Sequence, residues 1–170
     1  QIFDNRDGSN DGLRLSSRAN ESLRYSVNAT TLTSASSFAD EWVFITATYD
    51  GTTAKLYING SLDQSSATSQ TVNTTTNARI GTISYSAGNY FEGNLANVAI
   101  WNRALSSDEI NSVMWKSYEA LSGTESNGLQ AWYALDDITS PAASLANMQQ
   151  LATDKNATIE NTAAITAAIN

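Results

Sequence analysis

Ile45-Thr46-Ala47-Thr48-Tyr49-Asp50-Gly51 and, three residues later, Lys55-Leu56-Tyr57-Ile58-Asn59-Gly60 decide the fold. Asp-Gly and Asn-Gly close tight β-hairpins, because their residues accept the positive φ such turns require. Between the two turns, Leu56 and Ile58 alternate with Lys55 and Tyr57, the period of two that a strand imposes. Ahead of Asp50, Trp42, Phe44, Thr46 and Thr48 alternate with Val43, Ile45, Ala47 and Tyr49. Both sets are largely apolar, which predicts a central strand over 42–49 that is covered on both faces.

Similar signals recur on either side. Residues 12–16 and 22–28 read as a pair of short strands, the second with Leu23, Tyr25 and Val27 on one face and Ser22, Arg24 and Ser26 on the other. Residues 61–77 are rich in Ser and Thr and read as a long connection with one weak strand around Val72. Short strands are predicted over 78–83 and 129–135. A longer one, anchored by Phe91, Leu95, Val98 and Ile100, is predicted over 90–101. Residues 105–121 predict a helix, opened by the S-x-x-E capping box of Ser106 and Glu109. Its apolar positions are Ile110, Val113, Met114 and Tyr118. Residues 122–128 read as a linker and 144–151 as a short helix; the tail from Asn156 is weakly patterned. The fold class expected is all-β, an antiparallel β-sandwich with one short α-helix towards the C-terminal side.

Composition excludes several kinds of function. The 170 residues contain no Cys and no His, so no disulfide, thiolate nucleophile, histidine base or zinc site of the usual ligands can be built. The formal net charge is -8, and Lys occurs only at Lys55, Lys116 and Lys155. Nucleic acid and anionic membranes are poor partners for such a chain. No apolar run approaches the ~20 residues that span a bilayer. The chain opens at Gln1 rather than Met, so it reads as a processed product or as a piece of something longer.

The stretch from Trp42 to Ile110 resembles the laminin G-like jelly rolls of the concanavalin A-like lectin/glucanase superfamily. The resemblance rests on Trp42, residues 45–51, residues 55–60, Ile80-Gly81-Thr82, Phe91-Glu92-Gly93-Asn94-Leu95, residues 98–106 and Glu109-Ile110, in that order. It implies a jelly roll in which Trp42 and Trp101 are structural. Family members usually begin with a strand that is missing before Gln1. Residues 128–137 (Gly128-Leu129-Gln130-Ala131-Trp132-Tyr133-Ala134-Leu135-Asp136-Asp137) look like that opening strand, and residues 154–161 are similar to what normally follows it. The organisation expected is a laminin G-like sandwich over 1–122, then a linker and strand over 123–170. That strand either completes the sandwich in permuted order or starts a further repeat.

Candidate sites are few. Asp7, Ser9 and Asp11, within Asp7-Gly8-Ser9-Asn10-Asp11-Gly12, space oxygen ligands as calcium loops do, and Asp4 could join them. Arg18 stands where an EF-hand would place its bidentate Glu, and the flanks are strands, so a polar hairpin turn is the favoured reading. Calcium is the only cofactor considered. The related glucanases carry their carboxylates in E-x-D-type alternation on one strand. Here Asp40-Glu41, Asp108-Glu109 and Asp136-Asp137 are adjacent pairs, so no catalytic residues are assigned. Of the aromatic residues, Tyr85 and Tyr90, flanking Ser86-Ala87-Gly88-Asn89, are the candidates for ligand contact. Asn20, Asn28, Asn59, Asn73 and Asn156 begin N-x-S/T sequons, and Asn59 already has a turn role.

Two functions follow as expectations. One is a non-catalytic recognition or adhesion module of an extracellular, cell-surface or virion protein, binding a glycan or protein surface. The other is a structural assembly or decoration module of a phage capsid, tail fibre or surface scaffold, with self-association or neighbouring repeats and no small ligand. A polysaccharide hydrolase is disfavoured.

Overall fold

A computed structural model describes residues 1–7, 11–18, 21–38, 41–72, 77–85 and 88–135. The short helix expected at 144–151 and the segment 154–161 lie outside the described residues. Residues Gln1–Glu92 and Gly93–Asn170 form two compact units.

The first unit contains two antiparallel sheets. Strands β1 (Phe3–Asp4), β2 (Leu13–Ser17), β3 (Ser22–Val27), β4 (Thr30–Ser37) and β8 (Arg79–Ile80) form one, in the order β4-β3-β2-β1-β8. Strands β5 (Ile45–Tyr49), β6 (Thr53–Ile58) and β7 (Ser61–Ala67) form the other, in sequence order. The two expected turns make this second sheet. Asp50 Oδ1 accepts from the backbone N–H of Thr52 at 2.9 Å and of Thr53 at 2.8 Å, closing β5 onto β6. Asn59 and Gly60, at φ 50° and 80°, join β6 to β7 as a type I′ turn does. Asn59 also ties β5, since its Oδ1 accepts from the Phe44 N–H at 2.9 Å.

The alternation of each sheet builds the core. Leu23, Tyr25, Val27 and Leu32 are buried on one face of the five-stranded sheet, and Ala54, Leu56 and Ile58 on one face of the three-stranded sheet. Burial, and then the neighbouring Tyr49, push the Tyr25 phenol well above its usual range, and β4 lies against β6 and β7 of the other sheet. Their rims are joined as well. Thr30 Oγ1 donates to Thr68 Oγ1 at 2.9 Å, and the Ala35 N–H donates to Asp63 Oδ2 at 3.1 Å.

Several expectations are corrected. β5 starts at Ile45, and Trp42 lies ahead of it, 72% exposed. The central strand of the sheet is β6, flanked by β5 and β7. The region read as a connection begins with β7, seven residues long, which pairs with β6 from Ile58↔Ser61 to Thr53↔Ala67. A Ser- and Thr-rich strand is masked in sequence but satisfied by its ladder. Val72 is not in a strand, and β4 was not foreseen.

In the second unit, β9 (Val98–Trp101) pairs antiparallel with β10 (Leu129–Tyr133). Their connection contains α1 (Ser107–Val113) and a 3-10 turn at Tyr118–Ala120. The strand expected over 90–101 is confined to β9. The helix expected to reach Leu121 ends at Val113, because Ser117 is extended and the backbone restarts as the 3-10 turn. The capping box is present: Ser106 Oγ accepts from the Glu109 N–H at 3.2 Å, and Glu109 Oε2 accepts from the Ser106 N–H at 2.8 Å. Trp132 packs edge-on against Trp101, with ring centroids 6.4 Å apart. The Trp101 indole N–H donates to the Glu125 carbonyl at 2.7 Å.

Two carboxylates brace this unit. Arg103, followed by the Ser106 N–H, holds Glu109 down at about 2; Lys116, followed by Ser112 and Ser122, holds Glu125 down at about 2. Both bind protons more weakly when folded than when unfolded, where the ordinary value is 4.5. Their stabilisation is therefore full above the ordinary value and is lost as pH falls through that value towards about 2. Thermal melts from pH 7 to pH 2, followed by circular dichroism, should show this loss. Glu109→Gln and Glu125→Gln should each lower the neutral-pH melting temperature and flatten its acid dependence; slopes matching the parent chain would refute the assignment.

Candidate functional site

The polar face of the five-stranded sheet carries charged residues in register. Register places Arg79, Asp4, Arg14, Ser26 and Thr31 in one row across β8, β1, β2, β3 and β4. The next row holds Ser16, Arg24 and Thr33. Asp4 is fully buried and meets Arg6 through two nitrogens, with Nε to Oδ2 at 3.1 Å and Nη2 to Oδ2 at 2.7 Å. Asp4 Oδ1 accepts from the Arg6 N–H at 2.9 Å, and the Ser84 hydroxyl lies 2.9 Å from the same oxygen and against the Arg6 carbonyl. Asp4 is thus part of a buried ion pair.

Residues 81–85 and 88–91 follow β8 beside this row. The Phe91 N–H donates to the Gly81 carbonyl at 2.8 Å, Thr82 Oγ1 donates to the Gly88 carbonyl at 2.9 Å, and the N-terminal ammonium donates to the Asn89 carbonyl at 3.0 Å. The loop presents both expected aromatic residues, Tyr85 at 49% and Tyr90 at 68% exposure. The Arg6 guanidinium lies 5.4 Å from the Tyr85 ring centroid, a cation–π contact that orients the ring next to the charged row.

The Asp11 N–H donates to Asp7 Oδ1 at 3.3 Å, and the Asp7 N–H to the Asp11 carbonyl at 3.2 Å. Ser9 lies outside the described residues. Gly12, at φ 134°, could not carry a side chain, since a Cβ would come within 2.9 Å of the Arg6 Cα. Among the described residues, no group of three or more His, Cys, Asp or Glu side chains could hold a metal ion. Of the adjacent acidic pairs, Asp108-Glu109 caps α1, whereas Asp40, Asp136 and Asp137 lie outside the described residues.

Two sequons have structural roles. Asn28 Oδ1 accepts from the Gly12 N–H at 2.8 Å, its Nδ2 donates to the Thr71 carbonyl at 2.9 Å, and Asn59 holds Phe44. Asn20, Asn73 and Asn156 lie outside the described residues. Sequence reasoning missed the arginine rows, because Arg6, Arg14 and Arg24 form no motif along the chain. It also missed the exposure of Trp42 and of Trp115, the latter 83% exposed. No described helix is long and apolar enough to cross a membrane.

Two antiparallel sheets, tight Asp-Gly and Asn-Gly turns and an aromatic loop beside a charged sheet face define a lectin-type β-sandwich. The family model for the concanavalin A-like lectin/glucanases superfamily, laminin G type, matches residues 1–111, and the chain belongs to that superfamily. No curated protein matches the chain. Among solved structures, an S-layer domain-containing protein from Clostridium thermocellum is 25% identical, covering 66% of this chain and 61% of its own, with a TM-score of 0.42. A proposed carbohydrate binding protein from Bacteroides ovatus is 18% identical, covering 81% of this chain and 42% of its own, with a TM-score of 0.62. The chain thus spans less than two thirds of either one. The likeness to the Bacteroides ovatus protein is one of fold.

Proposed function

We propose that this chain is a non-catalytic glycan-recognition module of an extracellular or cell-surface protein, with its contact surface at the Tyr85 and Tyr90 loop. The observation that carries this is the exposure of both rings on one hydrogen-bonded loop, Tyr85 held in place by Arg6. Exposed aromatic faces next to polar and charged groups suit pyranose rings, which stack one face and hydrogen-bond at their edges. Superfamily membership supports the reading, as does the carbohydrate binding proposed for the Bacteroides ovatus protein of the same fold. A binding role without catalysis agrees with the absence of His and Cys from the whole sequence and with Asp4 being sequestered by Arg6.

A glycan array should show reproducible binding, weakened about tenfold or more by Tyr85→Ala and by Tyr90→Ala, since one stacked aromatic contributes on the order of 1–2 kcal/mol. Both residues are exposed, so the variants should fold. A silent array would favour the assembly or decoration role instead.

A further inference from the structure

We propose that the polar face of the five-stranded sheet binds the carboxylates of a uronic acid-bearing glycan through Arg14 and Arg24. This deepens the glycan-recognition reading and rests on it. The chain carries a formal net charge of -8, yet four of its six arginines fall between residues 6 and 24. β-Sheet register brings two of them together. Arg14 opposes Ser26, Arg24 opposes Ser16, and the period of two puts all four side chains on one face. Arg14 and Arg24 are therefore diagonal neighbours, at roughly 7–8 Å. Arg6 follows β1 in the same strand path as Asp4.

The two arginines are incompletely matched. Nε of Arg14 and Nε of Arg24 are buried with no hydrogen-bond partner, although each residue keeps part of its surface exposed. These Nε atoms are closed to solvent, so a ligand meets only the exposed part of each side chain. Arg14 is fixed by one contact, Nη2 to Ser26 Oγ at 3.0 Å. Burial, and then repulsion from Arg6 and Arg24, weaken proton binding at Arg14; burial, and then Arg18 and Arg6, do the same at Arg24. Asp4 and Tyr85 act on Arg14 in the opposite sense, while the charges acting on Arg24 are both repulsive.

A planar carboxylate satisfies a guanidinium through parallel N–H donors. The same face displays that recognition: Arg6 holds Asp4 through Nε and Nη2. A uronate at Arg14 or Arg24 would pair with the exposed part of the side chain, with Tyr85, beside Arg6, offering the ring face for the sugar. A dense polyanion such as a nucleic acid fits poorly, because the rest of the chain is acidic and repels it. A glycan with isolated carboxylates brings charge only where the arginines stand.

Calorimetric titration of the full chain tests this. The probes are galacturonic, glucuronic and mannuronic acid oligosaccharides, their carboxyl-reduced neutral counterparts, and sulfated neutral oligosaccharides. At least one uronate should bind about tenfold or more tighter than its reduced form, the worth of one charge-assisted contact. The preference should shrink at high salt. Arg14→Gln and Arg24→Gln should each reduce it, with circular dichroism confirming the fold. Equal binding of acidic and reduced forms would overturn the carboxylate role and leave glycan recognition standing. A sulfated chain matching the best uronate would overturn the choice of carboxylate. Binding of none of the probes would overturn both readings. The comparison of acidic with reduced glycan needs no variant, so it stands even if an arginine substitution unfolds the sheet.

Discussion

Asp4→Ala is expected to destabilise the unit of residues 1–92 by about 3–5 kcal/mol, the range found when one partner of a buried ion pair is removed. Asp4 is fully buried and Arg6 nearly so, with Nη2 to Oδ2 at 2.7 Å. The substitution removes the buried carboxylate that the Arg6 guanidinium, the Arg6 N–H and the Ser84 hydroxyl all contact. Urea denaturation followed by far-ultraviolet circular dichroism measures the change. Asp4→Ala combined with Arg6→Met should recover part of the loss, because it removes the buried cation together with its anion and keeps an apolar stem of similar length. A loss below about 1 kcal/mol for the single variant would mean that the pair is hydrated like a surface ion pair. Tyr85 should also become more mobile in both variants, since the ion pair that sets the Arg6 guanidinium against its ring is broken in the first and absent from the second.

Trp132→Ala is expected to destabilise the second unit by about 3–5 kcal/mol, as truncation of a buried aromatic residue does. Trp132 is 7% exposed, lies edge-on to Trp101 and is tilted against Tyr118 at 6.5 Å. It thus ties together β10, β9 and the 3-10 turn of the connection. Trp115→Ala is the control: its ring is 83% exposed, and the change should stay within about 0.5 kcal/mol. Removing all residues after Ser126 deletes β10 itself and should be at least as damaging as Trp132→Ala. We propose on this basis that the strand resembling the family's opening one completes the fold of this chain. Equal stability of the truncated and full chains would assign it to a following repeat instead.

Much of the architecture was legible in the sequence because it is locally encoded. Asp50-Gly51 and Asn59-Gly60 carry turn geometry in their own backbones, whatever lies around them. Ser106 and Glu109 satisfy each other's backbone donors within one helical turn, so the start of α1 could be read from four residues. Alternation placed Leu23, Tyr25 and Val27 on the core face, and the structure buries all three. Tyr85 and Tyr90 were identifiable because small and polar residues flank them in a loop.

Other features were set only by what each segment meets in three dimensions. β4 and β7 are built mainly from Ser, Thr and Ala, whose weak apolar pattern hides a strand until neighbouring strands supply the ladder. Trp42 has the residue type and the apparent register of a core position, but β5 begins at Ile45 and leaves it exposed. The arginine rows depend wholly on pairing. Arg14 and Arg24 are ten positions apart in sequence and become neighbours only because β2 and β3 pair with Arg14 opposite Ser26. Turn chemistry and periodicity act over a few residues, so sequence alone determined the β character, the hairpins and the helix start. Strand order, register and the exposure of each ring depend on non-local pairing and burial, and these the tertiary structure decided.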